Sequence, residues 1–365
     1  MLKKRAQTKE QSKRNAAHSS AILLGLALPP LLAQSAQICQ TAALSPFGWA
    51  LFTALSGCLA CTILNWSTLL NTPLPERETW KRAILAGVLV AIGLFLLGTA
   101  ISSPQWSPLN ALTIMFVPWS REMWRSVLGT EPIPDTKSRI ASLTMILAAT
   151  LFVWPEMQFF FKSGAINPNE LLSWPQLGFP QAPLPRSLSF LSAICFGAAS
   201  ALQRAQDRSI SSATFWTMPT AIAAILLSLA GWLSLQIATE RELLIGKLNA
   251  TGHANRFFLT GPALLFGVLL LAIRPRIHIK NALTIGRNSN IWWHSLGLGS
   301  GTAVTLLLTS DQSFFIQESL FFTLVLVSQF IATNGRQNSI TFAPTLSIVP
   351  ESGVESVVLS SRQNP

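Results

Sequence analysis

Apolar blocks long enough to cross a bilayer, roughly 20 residues each, recur along almost the whole chain, with charged residues falling mainly between them. Only 11% of the 365 residues are charged and 50% are hydrophobic, with a mean hydropathy of +0.43. A soluble domain carries about 25% charged residues. This deficit of charge excludes a soluble globular enzyme, a disordered chain and a coiled coil, and leaves a chain whose solvent is mostly lipid.

Ten such blocks lie near 20–40, 47–69, 83–102, 107–127, 139–159, 187–205, 213–237, 257–274, 292–309 and 314–333. The fourth turns amphipathic after Val117, and the ninth is short and rich in glycine (Gly297, Gly299, Gly301). Cytoplasmic loops retain Lys and Arg. With the N-terminus inside, ten crossings put 21 of the 26 basic residues on the cytoplasmic side, and a miscount would scramble that alternation. Trp66, Trp80, Trp106, Trp154, Trp292 and Trp293 fall at the ends of blocks, where indole rings favour the headgroup zone. The expected fold is therefore all-α: a polytopic integral membrane protein of about ten transmembrane helices.

The expected organisation is a basic cytoplasmic N-terminal segment (1–19), a first five-helix half (20–159), a Pro-rich external loop (160–186), a second five-helix half (187–333) and a mobile cytoplasmic tail (334–365). An odd number of helices per half makes the second half enter from the opposite side, so the halves are inverted. The N-terminus reads as an uncleaved first helix rather than a signal peptide, because so many apolar segments follow. The location expected is a bacterial inner membrane, with both termini cytoplasmic.

The net charge of +11 does not point to nucleic acid, since its basic residues follow the pattern set by insertion. Cys58 and Cys61 form a C-x-x-C inside a membrane-length segment, with no second pair and no nearby histidine, and read as small packing residues. His18, His253, His278 and His294 have no metal-ligand spacing, and no Gly-rich phosphate loop or G-x-S-x-G is present. No enzymatic activity, metal or cofactor is expected.

Ser45-Pro46 before the second block, Pro118 in the fourth, and Gly129-Thr130-Glu131 after it have a recognisable order. Over about residues 20–155 the chain resembles the EamA-like branch of the drug/metabolite transporter superfamily. The resemblance implies a secondary transporter whose cavity is lined by helices 1 to 4 and 6 to 9, the fifth helix of each half being peripheral. The chain departs from that pattern near Thr53, where members carry arginine. It also departs at Arg121, Glu122 and Arg125, where members are apolar, and in a second half without the matching proline and Gly-x-Glu.

Ionisable residues inside a bilayer are costly and default to functional candidates. Arg121 and Arg125 lie one turn apart on one helix face, with Glu122 beside them. They form either an anion site at a cavity mouth, where an arginine fork suits a carboxylate or phosphate, or a helix end that emerges early into water. Glu318 is either a coupling carboxylate or a group near enough to the interface to reach water. Gln34, Gln37, Asn65, Asn110 and Gln203 are the polar residues that line a cavity or bond between helices. Pro29, Pro30 and Pro118 free backbone carbonyls and either open a binding point or kink a packed helix.

The function expected is a secondary transporter or permease that moves a small organic solute by alternating access. The alternative is a non-transporting membrane scaffold or assembly factor. The partners expected are the lipid bilayer, a small-molecule solute and, for coupling, protons or another ion. A homodimer is compatible with this reading.

Overall fold

A computed structural model of the chain describes residues 2–41, 43–71, 77–128, 136–163, 184–204, 212–237, 253–285, 287–309 and 316–337. Of this structure 95% is helical, with no strand among the described residues. The helices are α1 (Leu2–Gln40), α2 (Pro46–Asn71), α3 (Arg77–Ser102), a 3-10 segment (Pro108–Met115) continuing into α4 (Phe116–Val127), and α5 (Thr136–Ser163). There follow α6 (Pro185–Arg204), α7 (Ser212–Ile237), α8 (His253–Gly267), a π turn (Val268–Ile273) continuing into α9 (Arg274–Ile285), α10 (Arg287–Thr309) and α11 (Ile316–Gln337). The described residues of each apolar block, Ser107 apart, lie in helix.

Five spans are long and apolar enough to cross a membrane: Glu10–Gln40, Pro46–Ser67, Arg77–Ser102, Arg139–Met157 and Leu259–His278. Their outward surface matches. Leu59, Ile63, Leu143 and Leu307 are exposed, Leu307 to 82%. An exterior of this kind is stable against lipid and aggregates in water. Trp66, Trp80 and Trp154 are exposed at their helix ends, whereas Trp292 packs on Phe330 and Trp293 on His18.

Helix boundaries follow local chemistry. Ser45 caps α2, its hydroxyl accepting from the Gly48 amide at 2.9 Å, and Pro46 occupies the first helical position, where no amide donor is needed. Ser107 and Pro108 start the 3-10 segment in the same way, the Ser107 side chain accepting from the Leu109 amide. The fourth apolar block is therefore not one α-helix, as the sequence suggests, but a 3-10 segment that widens to α at Phe116. Pro118 sits in the first turn of α4, where it is tolerated.

Pro275 lacks the amide that would bond the Leu271 carbonyl, and the Cys61 thiol donates to that carbonyl instead at 3.4 Å. The π turn lies immediately before this proline, with the Arg274 amide reaching back to the Leu269 carbonyl. The basic N-terminal segment is not separate from the first span, since α1 begins at Leu2. Likewise α11 runs through Gln337, past the boundary expected at 333. The tail from 338 and the loop over 164–183 lie outside the described residues, as do Gly129, Thr130 and Glu131.

The packing pairs are long-range. α1 lies along α10, α3 along α6, α5 along α11 and α2 along α7, with α4 on α6, α3 on α7 and α8 on α2. Glycines allow the closest crossings. A Cβ at Gly297 would meet the Ile22 carbonyl, and one at Gly301 would lie 2.6 Å from the Leu26 oxygen. Pro30 has already deprived that Leu26 carbonyl of its intrahelical donor, so it is free to face α10. Hydroxyls tie further pairs: Ser192 donates to the Gly93 carbonyl and Ser328 to the Ala141 carbonyl, each at 2.7 Å. At the centre, Phe116 of α4 stacks on Phe321 of α11 (5.5 Å) and meets Phe190 of α6 edge-on (4.9 Å).

Candidate functional site: a buried basic cluster

The residues singled out in α4 do come together. Arg121 pairs with Glu122 at 3.1 Å, and Arg125, itself buried, reaches the same carboxylate oxygen at 3.8 Å. One carboxylate is thus shared by two guanidinium groups.

A second polar group is assembled from three helices, α1, α9 and α10. Asn281 donates to the Ala17 carbonyl of α1 at 2.8 Å and to Asn290 Oδ1 of α10 at 3.1 Å. A carbonyl only accepts, so the Asn281 amide orientation is fixed. Asn290 must then present its own NH2 to His278 Nδ1, with which it makes a short contact. His294 Nδ1 lies 3.3 Å from the Ala21 carbonyl and must carry a hydrogen there. The two tautomers follow: a neutral His278 has its proton on Nε2, and a neutral His294 has a bare Nε2. The rings stand edge to face, 5.0 Å apart. Neither Nε2 has a hydrogen-bond partner.

Arg274 completes the group. It is 8% exposed and its Nε has no partner. Arg274 and His278 lie one turn apart on one face of α9. The cluster lies at the end of the bundle that carries the α9–α10 connection.

The other candidates fall elsewhere. Gln34 and Gln37 are exposed and share a face of α1 with Leu23 and Leu26, opposite the buried Leu28, Leu32 and Ala36. The buried polar group on that stretch is Ser35. Pro29 and Pro30 lie inside α1, which stays helical through both. Asn110, on the 3-10 segment, is 2% exposed, and both its amide atoms lack a partner. Gln203 and Glu318 fall in α6 and α11, but their side chains lie outside the described residues. Cys39, Cys58, Cys61 and Cys195 are free thiols, and no group of three metal-ligating side chains occurs among the described residues.

Asn65 joins two helices, donating to the Thr217 hydroxyl at 3.0 Å. A double-mutant cycle of Asn65→Leu with Thr217→Val is expected to give a coupling of about 0.6–1.7 kcal/mol in the stability of the detergent-solubilised protein. Strictly additive losses would remove this bond as a stabilising contact.

Sequence reasoning overlooked Arg274, His278, Asn281, Asn290 and His294. A signal was present: Arg274, His278 and Asn281 lie at i, i+4 and i+7, and Asn290 and His294 at i and i+4, so each set occupies one helix face.

No protein-family model matches the sequence, and no curated protein matches it. Among solved structures, one described only as a crystal structure of a protein aligns with 87% of this chain and 97% of its own, at 15% identity and a TM-score of 0.46.

Proposed function

We propose that the chain is a secondary transporter of ten membrane-crossing helices in two inverted five-helix halves, which moves a small organic solute by alternating access. One observation carries this reading: the packing pairs exchange when the halves are exchanged. Matching α1 to α6, α2 to α7, α3 to the α8–α9 rod, α4 to α10 and α5 to α11 converts each main contact into another. The α1–α10 contact becomes α6–α4. In the same way α3–α6 becomes α1 with α8 and α9, and α3–α7 becomes α8–α2, while α2–α7 and α5–α11 map onto themselves. The close glycine crossings follow this exchange. Gly297 and Gly301 serve α1–α10, and Gly197, whose Cβ would fall on Ser120, serves α6–α4. Two halves of opposed orientation are an architecture that supports alternating access around a midplane site.

The positive-inside distribution supports a bacterial inner membrane with both termini cytoplasmic, which puts the Arg121–Arg274 cluster at the cytoplasmic end. The resemblance of the first half to EamA-like drug/metabolite transporters agrees, and Ser45-Pro46 serves as the N-terminal cap of α2. A scaffold or assembly factor is the second reading, favoured by the closely stacked Phe116, Phe321 and Phe190 between helices of both halves.

Single cysteines along α1, the 3-10 segment with α4, and α10 separate the two. They are introduced after Cys39, Cys58, Cys61 and Cys195 have been replaced, then labelled with a membrane-impermeant thiol reagent in intact cells and in inverted vesicles. Transport requires labelling to mid-bilayer depth on one face of each helix, from at least one side. Labelling restricted to helix ends in both preparations would favour the scaffold.

A further inference from the structure

Arg274 is 8% exposed, its Nε is buried without a partner, and its side chain makes no hydrogen bond or ion pair with any described residue. A buried cation without a partner is strongly unfavourable, and proteins retain one where a counter-charge arrives from outside. His278, one turn along α9, offers a proton on Nε2 with no acceptor among the described residues.

The position is built rather than incidental. The π turn and Pro275 fix where α9 starts, and Asn281, anchored on the Ala17 carbonyl of α1, orients Asn290 of α10, which sets the His278 tautomer. The His294 side chain is buried, and its Nε2 is an acceptor with no partner among the described residues.

We infer that Arg274 and His278 form the binding site for an oxyanion, a carboxylate or phosphate group. The guanidinium supplies the charge and a two-pronged set of donors, and His278 Nε2–H supplies a further one. The anion is either a soluble solute or a lipid headgroup. That it is the transported solute rests on the transporter reading above, whereas its binding here does not.

The test uses the full chain purified in detergent, with inorganic phosphate and citrate as probes against chloride at equal ionic strength. Wild type is expected to unfold about 2 °C higher at a probe concentration tenfold above its Kd. Arg274→Gln should remove that rise and, by deleting the unpaired charge, unfold no lower than wild type without probe. Arg274→Lys should keep a reduced rise, because it keeps the charge and loses the fork. If the source is a lipid, wild type instead retains phospholipid phosphorus through purification and Arg274→Gln does not. Either result supports the site and names its source. A probe-induced rise that survives in Arg274→Gln, or neither a probe-induced rise nor retained phosphorus in wild type, overturns it. Failure of transport in cells with anion binding intact would count against the transporter reading alone.

Discussion

Leucine in place of Gly297 or Gly301 is expected to separate α1 from α10 and abolish the folded bundle. A Cβ at Gly297 falls on the Ile22 carbonyl, and one at Gly301 lies 2.6 Å from the Leu26 oxygen and 2.9 Å from its Cα. These neighbours are backbone and cannot rotate aside. Overpacking a core costs about 1–3 kcal/mol where side chains can adjust, and a shift of two whole helices costs more. Close small-residue crossings are what hold helices together where lipid removes the hydrophobic drive. Size-exclusion profiles of a detergent-solubilised fluorescent fusion should show aggregate for either leucine variant. Gly261→Ala is the control: nothing lies within 4 Å of its Cβ, and removing a helical glycine should stabilise by about 0.5–1 kcal/mol. A Gly297→Leu protein as monodisperse as wild type would contradict the packing of α1 on α10.

The second large effect is expected at Glu156, which lies in α5 and fastens the first turn of α6. Its Oε1 accepts from the Arg186 amide at 2.6 Å, and its Oε2 accepts from the Ser187 amide at 2.9 Å and the Ser187 hydroxyl at 2.7 Å. A carboxylate at a helix N-terminus satisfies orphan amides and meets the positive end of the helix dipole. Glu156→Ala leaves these part-buried donors unpaired, at a cost of about 2–3 kcal/mol. Glu156→Gln turns an NH2 toward one of them and should lose about as much. Thermal unfolding of purified protein checks both. A Glu156→Gln midpoint equal to wild type would show that the carboxylate charge and its second oxygen do not matter to the junction between α5 and α6.

The helices were legible because apolar length is a strong signal, and the α4 triad was legible because Arg121, Glu122 and Arg125 are neighbours in sequence. Local irregularities were not. Nothing in PLNALTIM announces a 3-10 segment, and nothing in VLLLAI announces the π turn. Gln34 and Gln37 show a second limit. Residue type says that a side chain is polar but not which way its helix face turns, and here Ser35 is the buried member of that stretch. Asn65 reads equally as cavity lining or as a tie between helices, and its bond to Thr217 makes it a tie. The Arg274–His278–His294 group escaped because its members look ordinary one at a time. The Asn281 bond to Ala17 joins residues far apart in the chain.

Inverted halves are tested most directly by sidedness. Single cysteines at the exposed positions Gln11, Leu128 and Lys280, and at Thr41, Gln105 and Met157, can be labelled with an impermeant thiol reagent from either side of the membrane. Ten crossings with a cytoplasmic N-terminus require the first three to react only in inverted vesicles and the last three only in intact cells. Reaction of Lys280 from the same side as Thr41 would contradict the inversion of the second half.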